Sequence, residues 1–337
     1  MKKIKCGIMG FGFSFPKTTR SYKEIAALSG VPEEVVRDKF GINKVYYPGN
    51  NEQPSGLAVE AAKQCLKNTG VGAEEIDLII YFGENYSDHL VYSIGPKVQK
   101  EIGAVNAWCY EVESKCGSAI LAMQQAKMYM TLEPDIKTVL LVAGYRNVDL
   151  VDYTDRSLSF LFDVSCGGAA CILRKGYAKH NFLSAAAVAD GSFADAIVVP
   201  GGGTALPLNA ENVDDKYIRH FRLQDPQIFR EKLGAVTLHN LKLVTERALA
   251  KDGYTLKDVD FVACLHMNKS SHRKLFELIE IPQEKSFYLA DYGHTGQIDP
   301  ILALALAAKK RLIKKGDLVA IIGMGFGYIW NGGAIRW

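Results

Sequence analysis

The chain has no run of about 18 uninterrupted apolar residues, the length a membrane-crossing helix needs, so it offers no candidate span. It carries little net charge, +3 over 337 residues, which gives no reason to expect nucleic acid or an anionic membrane surface as partner. It has no CxxC pair. Its seven cysteines, Cys6, Cys65, Cys109, Cys116, Cys166, Cys171 and Cys264, are odd in number and mostly lie in apolar runs. That usage argues against a disulfide scaffold or a zinc knuckle and fits a reducing cytoplasm. No HExxH or comparable cluster argues for a metal. The glycine-rich stretch "GMGFGYIWNGG", residues 323–333, lacks a P-loop lysine and a following helix, so its glycines serve a tight turn or close backbone approach. The start, "MKKIKCGIMGFGFSFPKTT", has the basic end of a signal peptide. Lys5 interrupts it, however, and Pro16 follows without a small-residue cleavage site, so residues 3–10 read as a first strand.

What the chain does have is a weak copy of itself. "AAKQCLKNTGVGAEEIDLIIYFGEN", residues 61–85, aligns with "VTERALAKDGYTLKDVDFVACLHMN", residues 244–268. Leu66 matches Leu249, Gly70 matches Gly253 and Asp77 matches Asp260, all at one offset of 183. Each copy reads as an amphipathic helix, a glycine turn, a short acidic turn and an apolar strand. "TVLLVAGY", residues 138–145, and "DLVAIIGM", residues 317–324, form a second matching pair. Duplicated helix–strand units with near-continuous apolar strands imply sheets covered by helices. The expectation is an α/β protein of two fused halves, residues 1–175 and 176–337. Within them the pattern predicts helices over 21–29, 32–39, 55–69, 89–102 and 117–130, with strands over 76–82, 138–144 and 167–174. An irregular stretch is expected over 192–225, then helices near 225–235 and 239–251 and a strand over 259–265.

Cys116 opens the buried-looking helix 117–130 in "YEVESKCGSAILAMQQAKMYM", residues 110–130. A thiol at a helix N-terminus faces free N–H groups and the positive dipole end, which lower its pKa from about 8.5 toward neutrality. The same N–H groups can stabilise an oxyanion beside the sulfur. A small buried core residue is the competing reading, and Cys6, Cys65 and Cys264 fit it. Two histidines bear on the choice. "VACLHMNKSSH" puts His266 just past an apolar strand, at the kind of strand end where ligands collect. "YLADYGHTGQIDP" puts His294 just before a buried helix with an early Pro300. A neutral imidazole there can donate a hydrogen bond or take a proton.

Four segments in this order resemble the ketoacyl-ACP synthase III branch of the thiolase superfamily, nearly end to end. "ESKCGSAILAM" is similar to its nucleophile motif at Cys116. "LHMNK" is similar to its strand-end His–Asn pattern, with His266 in place and Asn268 one position early. "YGHTGQ" is similar to its Gly-Asn-Thr motif, with His294 replacing the asparagine. "GMGFGYIWNGGAIRW" matches the terminal strand pair. The resemblance implies a thiolase-like five-layer αβαβα fold, a homodimer, no metal or tightly bound cofactor, and coenzyme A or acyl-carrier-protein thioesters as substrates. It implies that Cys116 becomes acylated, and that a malonyl thioester then loses carbon dioxide and attacks the acyl group. His266 and His294 would hold the second carbonyl, and the backbone N–H groups of Cys116 and the Phe326 region would form an oxyanion hole.

The departures leave alternatives open. Histidine at 294 is similar to the elongating synthases, or it supplies an extra base, in which case the product is an ester or amide. The family's Gly-Asp-Gly turn is Ser165-Cys166-Gly167 here. Its coenzyme A-stacking tryptophan is Val35, which favours a carrier protein, with Lys39, Lys269 and Arg273 able to meet a phosphopantetheine phosphate. Glu84, in "YFGENYSD", sits 32 residues before Cys116, as the catalytic glutamate does in hydroxymethylglutaryl-CoA synthases. Lys115 sits where the family has a small residue, and is placed to lower the thiol pKa or to pair with Glu84. A catalytically silent partner subunit is the remaining reading.

Overall fold

The computed structural model describes residues 4–224, 226 and 233–337. Its strands in chain order are β1 (Cys6–Ser14), β2 (Thr19–Ser21), β3 (Lys44–Tyr46), β4 (Leu78–Tyr81), β5 (Trp108–Glu111), β6 (Thr138–Tyr145), β7 (Gly167–Lys175), β8 (Asn181–Ala189), β9 (Ile197–Val198), β10 (Arg222–Leu223), β11 (Phe261–Cys264), β12 (Leu318–Gly325) and β13 (Ile329–Arg336). Nine of them join in the order β11-β12-β13-β8-β1-β7-β6-β4-β5. The first four of these positions come from the second half of the chain, and the last five from the first half. The halves meet where Gly7 pairs with Asn181.

The duplication read at offset 183 is structural. Gly70 and Gly253 both take positive φ, +68° and +80°, just past the helices Pro54–Thr69 and Gly234–Ala250. Only glycine adopts that conformation without strain. Asp77 Oδ2 accepts the N–H groups of Lys137 and Thr138, both at 2.8 Å, where β6 begins beside β4. Asp260 Oδ2 accepts the N–H of Leu318 at 2.9 Å, where β12 begins beside β11. The matched aspartates therefore do the same job, tying the entry of one parallel strand to its neighbour.

Helix Pro54–Thr69 packs on β1, β7 and β6, and helix Gly234–Ala250 on β13 and β8. Two apolar helices, Ser118–Leu132 and Asp299–Lys309, face each other in the interior through Ala119, Ile120 and Met123 on one and Pro300, Ile301 and Leu304 on the other. The N-termini of this buried pair bring Cys116 and Asp299 to the candidate site described below.

Several elements differ from the sequence-based expectation. The first strand runs Cys6–Ser14, because Gly10 and Gly12 let it continue close against the helix behind it. The helix expected over 89–102 starts only at Ile94, where Glu111 Oε1 accepts its first N–H at 2.6 Å. The segment expected as helix 32–39 is helical from residue 33 to 40, but as a π-helix over Val35–Phe40, closed by Gly41. The stretch 192–225 is not wholly irregular: it holds β9, the turn of helix Lys216–Arg219, and β10. The helix expected near 225–235 falls mostly outside the described residues.

Candidate active site

Cys116 is held by a tight local network. Ser118 Oγ donates to the Lys115 carbonyl at 2.6 Å and accepts the Ser114 N–H at 2.7 Å. Asn331 Nδ2 donates to Ser114 Oγ at 3.0 Å, locking the turn to β13. Lys115 itself takes φ +47°, so the chain reverses sharply just before the cysteine. Gly325, the last residue of β12, crosses directly over this turn: a Cβ there would lie 2.7 Å from the Cys116 nitrogen. The cysteine is 4 % exposed. Burial, the largest influence, pushes its thiol pKa up, while the charge and hydrogen bond of His294 pull it down. The expected net lowering is therefore not met, because removing the thiolate from water outweighs the helix end and the imidazole.

His294 Nε2 lies 3.3 Å from Cys116 Sγ. Its other nitrogen, Nδ1, is 2.6 Å from Asp299 Oδ2. The loop is fixed from both sides: His294 N–H donates to the Asp163 carbonyl at 2.7 Å, and Ser165 N–H donates to the His294 carbonyl at 2.8 Å. Burial works against a charged imidazole here, but the Asp299 carboxylate and the Cys116 sulfur outweigh it and hold the His294 pKa well above its ordinary value. Asp299 is fully buried at the first position of its helix. Its Oδ1 accepts Thr295 N–H at 2.8 Å and Thr295 Oγ at 2.6 Å, and its Oδ2 also accepts His266 N–H at 2.8 Å.

His266 lies two residues past β11 with its ring against Tyr288, centroids 4.9 Å apart. Its Nε2 is 3.5 Å from Asp163 Oδ2. Among the described residues neither ring nitrogen has a formed hydrogen bond. Burial drives the His266 pKa down to about 3, so the ring is neutral at ordinary pH. Asp163 is 7 % exposed, and burial lifts its pKa to about 7, opposed by His294 and reinforced by Asp299.

Glu84 follows β4 and approaches the sulfur from another side, with Oε1 3.9 Å from Sγ. Its Oε2 accepts Asn147 Nδ2 at 2.8 Å, and burial raises its pKa. Lys115 does not pair with it directly. The ammonium pairs with Glu113 and donates to Asn85 Oδ1 at 3.2 Å, and the Lys115 backbone takes a left-handed φ of +47°.

A cavity of about 400 Å³ brings Cys116, Asp163, His266, Asn268, His294 and Phe326 to one wall. A second space, about 470 Å³, lies beyond Glu84 and is lined by His89, Leu90, Tyr92 and Glu111 among others. Asn268 is at the first cavity, but its Oδ1 is engaged in capping helix Lys269–Ile279 through Ser271 N–H at 2.8 Å. Lys39, Lys269 and Arg273 are exposed and do not line the cavity, and Arg273 is 3.6 Å from Glu277. Two buried carboxyls were missed by sequence reasoning. Asp299 reads as a helix start before Pro300. Asp163 stands alone in the apolar run "FLFDVSC", and a lone acid in such a run was the available signal.

The profile of 3-oxoacyl-[acyl-carrier-protein] synthase III matches residues 110–191, and that of its C-terminal part matches residues 249–337. A beta-ketoacyl-[acyl-carrier-protein] synthase III of Syntrophomonas wolfei is 30 % identical over 335 residues, covering 99 % of this chain and 98 % of that one. The chain belongs to the 3-oxoacyl-[acyl-carrier-protein] synthase III family. A synthase III of Agrobacterium fabrum is 26 % identical over 340 residues, covering 99 % of this chain and all of that one. The solved synthase III of Aquifex aeolicus superposes with a TM-score of 0.83 at 23 % identity, over 99 % of this chain and 100 % of that chain, which shows the thiolase-like fold with its duplicated halves. The protein is thus a thioester-dependent condensing enzyme of the synthase III type, a type that works through an acyl-cysteine and a decarboxylative Claisen condensation. Among the described residues no group of three or more histidine, cysteine or acidic side chains is placed to hold a metal ion, and no helix is long and apolar enough to cross a membrane.

Proposed function

We propose that Cys116 carries the acyl group and that His266 and His294 hold the carbonyl oxygen of a malonyl thioester as it loses carbon dioxide. The observation that carries this reading is the chain of contacts Asp299–His294–Cys116, 2.6 Å and 3.3 Å long, on the wall of a cavity shared with His266. In the first half-reaction the sulfur attacks the acyl thioester and the thiol proton leaves with the departing thiol. In the second, the carbon–carboxyl bond breaks and its electron pair moves onto the thioester carbonyl as an enolate. The enolate carbon then attacks the acyl-cysteine carbonyl, the carbon–sulfur bond breaks, and Cys116 leaves as a thiolate that takes up one proton to return to the thiol. A buried imidazolium at His294 and a neutral His266 suit that step, since each offers a donor where negative charge develops. The N–H of Cys116 and the Phe326 turn supply the oxyanion site of the acyl-cysteine.

Because Asp299 holds His294 positive, the residue serves as a cation rather than as a base. This weighs against ester or amide formation, which needs a neutral imidazole to take a proton. Glu84 supports a second reading. Its buried carboxyl 3.9 Å from the sulfur is placed to protonate an alkoxide, the chemistry of a hydroxymethylglutaryl-CoA-synthase-like condensation. Mass analysis of the products separates the two: a β-keto thioester with one equivalent of carbon dioxide supports the first reading, and a hydroxyl-bearing branched thioester supports the second. We further assign the chain to homodimers of cytoplasmic location, built from the halves 1–175 and 176–337. Lys39, Lys269 and Arg273 are then the surface cations offered to the phosphate of an acyl carrier protein or coenzyme A. All seven cysteines are unpaired, which supports a reducing compartment.

A further inference from the structure

Asp163 has no part in the function just proposed, yet it stands inside the site. Asp163 lines the cavity with Cys116, His266 and His294. His266, whose Nε2 lies 3.5 Å from Asp163 Oδ2, is fully buried at the side chain, and neither of its ring nitrogens has a hydrogen-bond partner among the described residues. A histidine with two free nitrogens on a cavity wall marks a place where a ligand completes the hydrogen bonding. The segment is rigid, since the Asp163 carbonyl accepts His294 N–H, and a Cβ at Gly293 would lie 2.5 Å from that same oxygen.

This inference rests on the proposed function. We propose that Asp163, on the cavity lining with Oδ2 3.5 Å from His266 Nε2, is a specificity-determining residue that reads the charge of the second substrate, its carboxyl O–H donating to the carboxylate of a malonyl-type thioester. Ionised, the same carboxyl repels that substrate. The neutral acyl thioester of the first half-reaction carries no charge for Asp163 to read. When the substrate carboxyl leaves as carbon dioxide, the proton remains on Asp163 and the contact ends, so the residue acts on binding rather than on the bond-breaking step.

The groups facing Asp163 set the sign. Tyr145 at the end of β6, Tyr153 in the preceding loop and Tyr288 beside His266 are all neutral phenols with pKa values pushed up by burial. Cys116 is likewise a buried thiol. His294 brings a positive charge that favours ionisation, and Asp299 a negative one that opposes it. Burial decides the balance, and the carboxyl titrates at about 7.

The test is the pH dependence of KM for malonyl thioester from pH 6 to 8.5, beside the inhibition constant of its neutral carboxamide analogue. In the wild type, KM is expected to be level in acid and to rise about tenfold per pH unit above about 7, with kcat changing far less. Binding of the carboxamide analogue is expected to stay level. Asp163→Asn keeps a donor at every pH and is expected to flatten the KM profile. Equal slopes for the two ligands on the wild type overturn the assignment without any variant. So does a KM rise that survives Asp163→Asn. Intact mass of the wild type after exposure to an acyl thioester separates the two levels. Acylated Cys116 with no such pH dependence removes only the role of Asp163, whereas no acylation overturns the proposed function and this assignment together.

Discussion

The carboxylate of Asp299 binds Nδ1 of His294 at 2.6 Å and so turns Nε2 to within 3.3 Å of the Cys116 sulfur. The same oxygen accepts the backbone N–H of His266. One buried carboxylate therefore sets the charge of one histidine and the position of the other, and the first prediction concerns it.

Asp299→Asn keeps the shape and removes the charge. The His294 pKa, held well up in the wild type, is expected to fall toward the ordinary histidine range. On the proposed reading the imidazolium is the form that stabilises the enolate, so the alkaline limb of the condensation half-reaction is expected to move to lower pH by about one unit or more. A pH–rate profile on pre-acylated enzyme measures this. An unshifted limb would show that His294 does not act as a cation.

On the proposed reading, His266→Ala removes a donor from the second carbonyl. The condensation rate is expected to fall about 10²–10³-fold, the loss seen when one donor of an oxyanion site is deleted. Acylation of Cys116 should fall much less, since His266 does not reach the sulfur. Single-turnover assays of each half-reaction check the split, and equal losses in both would contradict the role assigned to His266.

Asp163 also makes a stability prediction. Its pKa is raised from the usual carboxyl range to about 7 in the folded protein. The folded state therefore holds the proton more tightly than the unfolded chain. The stabilisation this gives is complete below about 4 and is lost as pH rises through about 7. Asp163→Asn is expected to gain about 1–3 kcal/mol relative to wild type on going from pH 4.5 to pH 8. Denaturant midpoints at the two pH values measure it, and a difference of opposite sign would place the carboxyl in an ionised, favourable setting instead.

Gly325→Ala places a methyl against the backbone nitrogen of Cys116 at 2.7 Å and the Ser114 carbonyl at 2.9 Å. Backbone cannot yield as a side-chain end can, so the nucleophile turn must shift. Loss of about 2 kcal/mol or more of stability is expected, with slower acylation, read from thermal melts and from the rate of acyl-thioester consumption. Wild-type melting and acylation would mean that the turn tolerates displacement.

Much of this is legible in the sequence alone. The duplication showed in Gly70/Gly253 and Asp77/Asp260, because both pairs serve local backbone needs that leave a fixed spacing. That Glu84 and His294 lie beside Cys116, with His266 on the same cavity, is legible because each stands near the end of a strand or the start of a helix. Asp299 and Asp163 were not, since their importance lies in partners far along the chain: Asp299 binds the His266 backbone across 33 residues, and Asp163 faces His266 from another strand connection. The pKa of Cys116 was misjudged because the cost of burial depends on the packed interior, and the helix end alone was visible in the sequence. The pairing of Lys115 with Glu113, on a backbone of positive φ, is not announced by its residue type.

The central claim is that Cys116 holds the acyl group while a decarboxylated thioester attacks it. Intact mass of the protein after exposure to a panel of acyl thioesters, followed by addition of malonyl thioester, tests it most directly. The expected record is a mass increase equal to one acyl group, abolished by Cys116→Ala. It should be discharged by malonyl thioester with release of one equivalent each of carbon dioxide and β-keto product. A mass increase that survives Cys116→Ala, or an acyl-enzyme that malonyl thioester leaves untouched, would contradict the account.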